Sequence, residues 1–152
     1  MKAIREKVKL TGVITLIARH ADGTIFAKRR IKNTVTSAGK TLAATLLYGT
    51  GTAFSAIAIG VGTPSGTALG SESTTNGGAR RSGANVTTSN PSGAIAQWAT
   101  IFTFSGALAI TEEGIFNSGT GGAGTMLASQ SFSVINVANL DTLTITHQVT
   151  LS

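Results

Sequence analysis

The feature that most constrains the fold is a run of aromatic residues between Ala94 and Phe104. Trp98, Phe102 and Phe104 fall on one side of an extended chain, because successive side chains of a β-strand point to opposite faces. The segment contains the one Trp of the chain, and large aromatic rings dominate the energetics of a core. We therefore predict a long β-strand whose aromatic face lies at the centre of the main core.

A hairpin is predicted near the amino terminus. Two runs rich in β-branched residues, 13–18 and 24–31, flank a turn that contains Asp22 and Gly23. Asp-Gly between two such runs is a strong hairpin signal, because Gly adopts the positive φ that a tight turn requires. Further strands are predicted at 54–61, within 108–116, at 126–136 and at 141–151. The last of these alternates apolar residues with Thr and Gln, which is typical of a half-buried antiparallel strand.

One short helix is predicted after residue 36. Thr36 or Ser37 can accept a backbone N–H bond at its start, and Gly49 suits the left-handed position beyond its end. One apolar stripe follows at helical spacing, formed by Leu42, Ala43, Leu46 and Leu47. Such a short helix is stabilised by packing rather than by propensity, so we expect it to lie against a sheet.

These elements predict a mainly β protein, an antiparallel β-sandwich or barrel with one short packed α-helix and an extended N-terminal arm. At 152 residues the chain is close to the size of one domain. We divide it into a basic arm, 1–10, and a single mainly β domain, 11–152. A Gly-, Ser- and Thr-rich stretch at 63–93 reads as a long loop, which contacts a partner or becomes ordered only on assembly.

The charges favour assembly with other subunits. The chain is 41% hydrophobic but only 12% charged, about half the usual charged share. Ten of its twelve basic residues lie in the first forty positions, and the other two are adjacent. A basic arm of this kind suits an acidic protein lattice or the edge strand of a neighbour. The residues predicted to bind a partner are Lys2, Arg5, Lys7, Lys9, Arg80 and Arg81.

Few residues suit catalysis, so we expect no enzyme activity and no metal, cofactor or catalytic residues. The absence of Cys excludes disulfides and thiolate zinc sites. Glu112 and Glu113 are neighbours on a predicted strand and would point to opposite faces, so they would not share a site. His20 lies in the predicted turn. His147 lies on the apolar face of the last strand, where a hydrogen-bonded packing role is expected.

Nucleic acid and membranes are not expected partners. Lys28, Arg29, Arg30 and Lys32 form the densest basic run, but strand alternation divides them between two faces, and aromatic residues for base stacking are missing from 28–32. This pattern suits a solvated edge strand that is guarded by charge. No segment approaches the roughly twenty apolar residues of a membrane span, and the charged amino terminus does not resemble a signal peptide.

Several blocks resemble small structural proteins of tailed bacteriophages. The similarity covers roughly 33–152 and departs at Ser129, where a basic residue is expected, and in the basic first forty residues. The similar blocks are Asn33–Lys40 before the helix, Ala56–Thr63, Ala68–Glu72, Thr111–Asn117 and Thr125–Ala128 followed by Phe132.

The resemblance implies a non-enzymatic virion protein that is made in the host cytoplasm. Similar proteins include head decoration (cement) proteins, which would bind the major capsid protein lattice on the capsid exterior as homo-oligomers, with a trimer as one candidate. Related tail-fibre and baseplate components are the alternative. A carbohydrate-binding module is a weaker alternative, because sugar sites usually present exposed aromatic platforms and Trp98 is expected to be buried.

Overall fold

A computed structural model of the chain describes residues 9–82, 85–90 and 93–152, with the backbone alone for 85–90. All strand pairs within these ranges are antiparallel. The elements are β1 (Leu10–Arg19), β2 (Ile25–Val35), α1 (Ser37–Leu47), β3 (Ala56–Gly60), β4 (Arg81–Ser82), β5 (Asn85–Asn90), β6 (Gly93–Thr103), β7 (Leu108–Phe116), β8 (Met126–Val137) and β9 (Thr142–Leu151).

The strands form one sheet in the order β4-β3-β7-β8-β2-β1-β9-β6-β5. The sheet curls into a nearly closed barrel, which confirms the predicted mainly β, sandwich-or-barrel class. The indole N–H of Trp98 on β6 donates to the carbonyl of Phe54 just before β3, at 2.8 Å, and so joins the two far sides of the curled sheet. Within the sheet, the junction between β2 and β8 is weak, because these strands pair only at Thr34↔Ser129 and Val35↔Ala128.

The predicted hairpin is formed by β1 and β2. Its register runs from Gly12↔Asn33 to Ala18↔Ala27, and Gly23 in the turn has a φ of +87°. Hydrogen bonds from the side chain and backbone N–H of Thr24 hold the pKa of Asp22 below its usual value. The hairpin prediction is confirmed, because the local turn chemistry and the alternating apolar face agree.

The helix begins and ends where its caps predict. The hydroxyl of Thr36 accepts from the backbone N–H of Gly39 at 2.8 Å, and Gly49 beyond the carboxyl end has a φ of +73°. A β-carbon at Gly39 would lie 2.4 Å from the carbonyl oxygen of Leu127, so this Gly permits the close approach of α1 to β8. The apolar stripe is narrower than predicted, because Leu47 is 87% exposed whereas Leu42 and Leu46 pack on the core.

The main core is continuous inside the barrel, and the aromatic strand lies at its centre as predicted. Trp98, Phe102 and Phe104 are buried, and the apolar face of β9 packs with them. A second, smaller core lies on the opposite face of β3 and β7. There Leu69 of the following loop packs on Ala58, Phe116 and Met126, and this explains why every residue of β3 is buried.

Two predicted boundaries need correction. Lys9 and Leu10 belong to the sheet rather than to an arm, because Lys9 exchanges backbone hydrogen bonds with Ser152 and Leu10 pairs with Leu151. The stretch 63–93 is not one loop, since it contains β4 and β5. These strands pair with the edges of β3 and β6, and their polar sequences carry no alternation that would have predicted them. Residues 1–8, the rest of the predicted arm, lie outside the described residues.

Candidate functional site

Arg80, one of the predicted partner-binding residues, lies inside the protein. Its side chain is 2% exposed and makes a two-pronged ion pair with Glu72, at 2.8 and 2.6 Å. The guanidinium also donates to the carbonyls of Ser118 and Ala123 and lies 3.9 Å from the ring centre of Phe116. This arginine joins the 61–82 segment to the Gly-rich turn at 117–125, so the structure gives it internal partners.

Arg81, its neighbour, points outward. Its side chain is exposed and its guanidinium lies 5.7 Å from the ring centre of Phe102. Successive residues of an extended chain face opposite sides, and this separates the two arginines. A partner contact by Arg81 therefore stays a prediction, and the exposure of its side chain is compatible with it.

The loop between β3 and β4 is held by a buried carboxylate, that of Glu112. Glu112 is fully buried and accepts backbone N–H bonds from Gly62 and Ser71 on Oε1, at 3.0 and 2.8 Å, and from Gly70 on Oε2, at 2.8 Å. A carboxylate that accepts several N–H bonds is a strong, charge-assisted anchor. The loop is thereby fixed over the outer face of β3 and β7, above the second core.

Glu113 faces the opposite way, into the main core, as the alternation of neighbouring strand residues predicts. Its Oε2 lies 3.1 Å from Nδ1 of His147 on β9, and both side chains are fully buried. The side-chain amide of Asn33 contacts Nε2 of the same ring. The ring is therefore held at both nitrogens by groups from β7 and β2, across the interior of the barrel.

This pair resembles the orienting half of a nucleophilic triad, in which a carboxylate positions an imidazole beside a hydroxyl or thiol. Here the second ring nitrogen faces Asn33 instead. Among the described residues the group joins three strands in the core, and this matches the hydrogen-bonded packing role expected for His147. The other His, His20, lies in the hairpin turn as predicted, contacts Asp141 at 3.2 Å and stacks on Phe26.

The remaining predicted residues are Lys2, Arg5, Lys7 and Lys9. Lys2, Arg5 and Lys7 fall outside the described residues. Lys9 is exposed on the rim of an open apolar groove of about 710 Å³. Leu47 lines the groove, and Tyr48 beside it is 83% exposed. The groove is lined by Lys9, Leu10, Lys40, Ala43, Ala44, Leu47 and Leu151.

A basic edge is the other charged surface. Lys28, Arg30 and Lys32 of β2 are all exposed and follow one another at alternate positions. Across the β1–β2 pairing they lie opposite Ile17, Thr15 and Val13, so β1 offers them no carboxylate. Among the described residues, the carboxylates that lie against a basic side chain face Arg80 (Glu72), His20 (Asp141) and His147 (Glu113), and not these three cations. The exposure of the three cations matches the predicted solvated strand, but β2 is not an edge strand of the sheet, because it lies between β1 and β8 and is unpaired on one side only beyond its two pairs with β8.

Two uncharged grooves follow the junction of β2 and β8. The larger, of about 560 Å³, is lined mostly by Ser, Thr and Gly residues of 34–38, 63–67 and 129–131. The other meets it at Thr63 and Ser131 and includes Phe132. Their hydroxyls can form hydrogen bonds with a polar ligand, but their lining contains no titratable side chain.

Within the ranges 9–82, 85–90 and 93–152, no group of three His, Cys, Asp or Glu side chains is placed to hold a metal ion. The one helix described there is too short to span a bilayer.

Sequence reasoning missed that Glu112, Glu113 and Arg80 are buried. The available signal was the shortage of charge after residue 40: a carboxylate inside an apolar strand such as LAITEEGIF is costly unless it is paired. The partners themselves lie 8 to 50 residues away in sequence.

No family model, no curated protein and no solved structure matches this chain.

Proposed function

We propose that this chain is a non-enzymatic structural protein of a tailed-bacteriophage particle, and that it acts as a head decoration protein bound across neighbouring capsid subunits. A ligand that binds only the assembled lattice stabilises it by mass action, so no covalent step is required. The proposal rests on the resemblance of the blocks within 33–152 and on one structural observation, the exposed apolar groove beside Lys9.

The groove is suited to protein contact. Leu47 and Tyr48 are more than 80% exposed, although they adjoin an apolar lining. Exposed apolar surface with a polar rim is characteristic of protein interaction sites. Lys9 and Lys40 form the rim, and the basic segment 1–8 directly precedes Lys9 in the sequence. An acidic protein surface would complement both the rim and the segment.

The titratable residues of the described core support a structural role. Glu72, Glu112, Glu113, Arg80 and His147 are bonded to one another or to backbone groups. Such networks fix loops and join strands, and they do not line any of the three grooves described above.

The test is co-sedimentation of the purified protein with mature capsids from which accessory proteins have been stripped. We expect saturable binding at many copies per shell and greater survival of the shells on heating. Binding at a few copies would favour the tail-fibre or baseplate alternative instead. Absence of binding to capsids and tails would contradict the proposal.

Matched variants locate the contact. Leu47→Ser should weaken binding, because it removes exposed apolar surface from the groove without disturbing the core. Leu140→Ser is the control, since Leu140 is also exposed, at 60%, and lies outside the groove. Deletion of residues 1–8, which leaves β1 intact, tests the basic segment separately. Equal binding by Leu47→Ser and Leu140→Ser would exclude the groove as the contact.

A further inference from the structure

The edge of β2 is open over most of its length. On the side away from β1, the described chain pairs with β2 only at Thr34 and Val35, through β8. From Phe26 to Asn33 no strand of the described chain is paired with this side. An open edge presents a row of backbone N–H and C=O groups that another extended chain can pair with.

The charges along this edge are strong and regularly spaced. Lys28, Arg30 and Lys32 lie on one face, about 7 Å apart from one to the next, because two residues of a strand span that length. They are exposed, and none of them has an ion-pair partner in the described chain. Three unneutralised cations in a row favour an anionic neighbour and disfavour a cationic one.

A second copy of this chain does not supply that neighbour. The chain has six acidic residues, and no two of them occupy alternate positions. Five of them, Asp22, Glu72, Glu112, Glu113 and Asp141, are engaged in internal bonds. The segment 1–8 carries three basic residues against Glu6, so it would be repelled by the β2 edge. A different protein is therefore the favoured source of the occupant.

We propose that the edge of β2 between Phe26 and Asn33 binds an extended acidic segment of another protein, which adds to the sheet as a further strand. Asp or Glu at alternate positions of that segment would lie opposite Lys28, Arg30 and Lys32. The length is set at both ends, by the hairpin turn and by the start of β8 pairing at Thr34. This corresponds to about eight residues, or roughly 27 Å.

The same three cations have two effects. Basic residues on an open edge prevent identical molecules from joining edge to edge, and this guarding role is common. If the cations only prevented such edge-to-edge association, they would need no binding partner. However, the repulsion that excludes other copies also makes the edge selective for an acidic strand, because specificity combines attraction to one partner with repulsion of the others. The inference does not require that the protein belong to a virion.

The test uses two synthetic ten-residue peptides, one alternating Glu with Thr and the other alternating Lys with Thr. Binding to the full chain is measured by fluorescence anisotropy at two salt concentrations, and backbone amide exchange is followed by NMR. We expect the Glu peptide alone to bind, more weakly at high salt. We also expect it to slow the exchange of alternate amides between residues 26 and 33.

Two variants with the same change in net charge distinguish binding at the β2 edge from a general electrostatic attraction of the peptide to the protein. Arg30→Glu should weaken binding of the Glu peptide about tenfold, because it replaces a cross-strand attraction with repulsion. Arg19→Glu, on β1 rather than on the open edge of β2, makes the same charge change and should weaken binding far less. Circular dichroism checks that both variants remain folded.

Three results would overturn the proposal. The first is no binding of the Glu peptide, which leaves the cations with the guarding role alone. The second is equal weakening by Arg30→Glu and Arg19→Glu. The third is binding without slower amide exchange, together with equal binding of inorganic polyphosphate, which would identify a polyanion contact rather than strand addition. Each result stands whether or not the capsid experiment succeeds.

Discussion

Arg80 and Arg30 are the same residue type in one small protein, yet their surroundings are opposite. Arg80 is buried, and Glu72, two carbonyls and an aromatic ring surround its guanidinium. Arg30 is exposed on an open strand edge between two other cations. A buried charge is tolerated only when its partners are in place, whereas an exposed charge is stabilised by water. The comparison indicates which cations hold the fold and which are available to a partner.

The largest expected effect comes from removing the buried cation. Arg80→Met should lower the free energy of unfolding by about 3–5 kcal/mol, because it leaves the Glu72 carboxylate without its partner. The measurement is urea denaturation followed by circular dichroism. Arg81→Met is the control and should cost far less, since its side chain is exposed. Similar losses for the two variants would contradict the distinction drawn between them.

The pair inside the barrel extends the comparison to the core. Glu113→Gln should cost about 2–3 kcal/mol, because it replaces a charge-assisted hydrogen bond to His147 with a neutral one. His147→Gln should cost a similar amount. In a double-mutant cycle the combined loss should be smaller than the sum, since the two residues contact each other. Additive losses would mean that the two residues stabilise the core independently.

Glu112 tests the anchoring of the loop. Glu112→Gln should cost about 2 kcal/mol, because the amide group can accept the N–H bonds of only one side and places a donor against the other. Hydrogen exchange should become faster at Gly62, Gly70 and Ser71, and it should change little in the β1–β2 hairpin. Unchanged exchange at these three amides would show that the small core beneath Leu69 holds the loop without the carboxylate.

The smallest expected effect on stability is at the open edge. Arg30→Ala should change the free energy of unfolding by less than about 0.5 kcal/mol, because an exposed side chain without an ion-pair partner contributes little. A slight gain at low salt is expected, since the repulsion by Lys28 and Lys32 is relieved. Thermal unfolding at two salt concentrations measures both. A loss as large as that of Arg80→Met would show that Arg30 has a structural role.

Much of the local structure could be predicted from the residues themselves. Alternation located β6 and β9, Asp22-Gly23 located the hairpin turn, and the Thr36 cap located the start of α1. The candidate surfaces were predicted less well. Helical spacing places the exposed Leu47 in the packed stripe, and charge alone predicts a partner contact for the buried Arg80. Neither the hydrophobicity nor the charge of a residue specifies which neighbours the fold will bring to it.

The sequence by itself determined where most of the strands, the turn and the helix lie, because these depend on residues within a few positions of one another. The short strands β4 and β5 are the exception, since they depend on pairing with β3 and β6. The tertiary structure decided how the charges are used. Glu113 reaches His147 only because the curled sheet brings β7 opposite β9, and Arg80 reaches Glu72 only because the loop folds back over β3 and β7. Strand order and register depend on which residues are buried across the whole chain, so a local sequence pattern does not predict them.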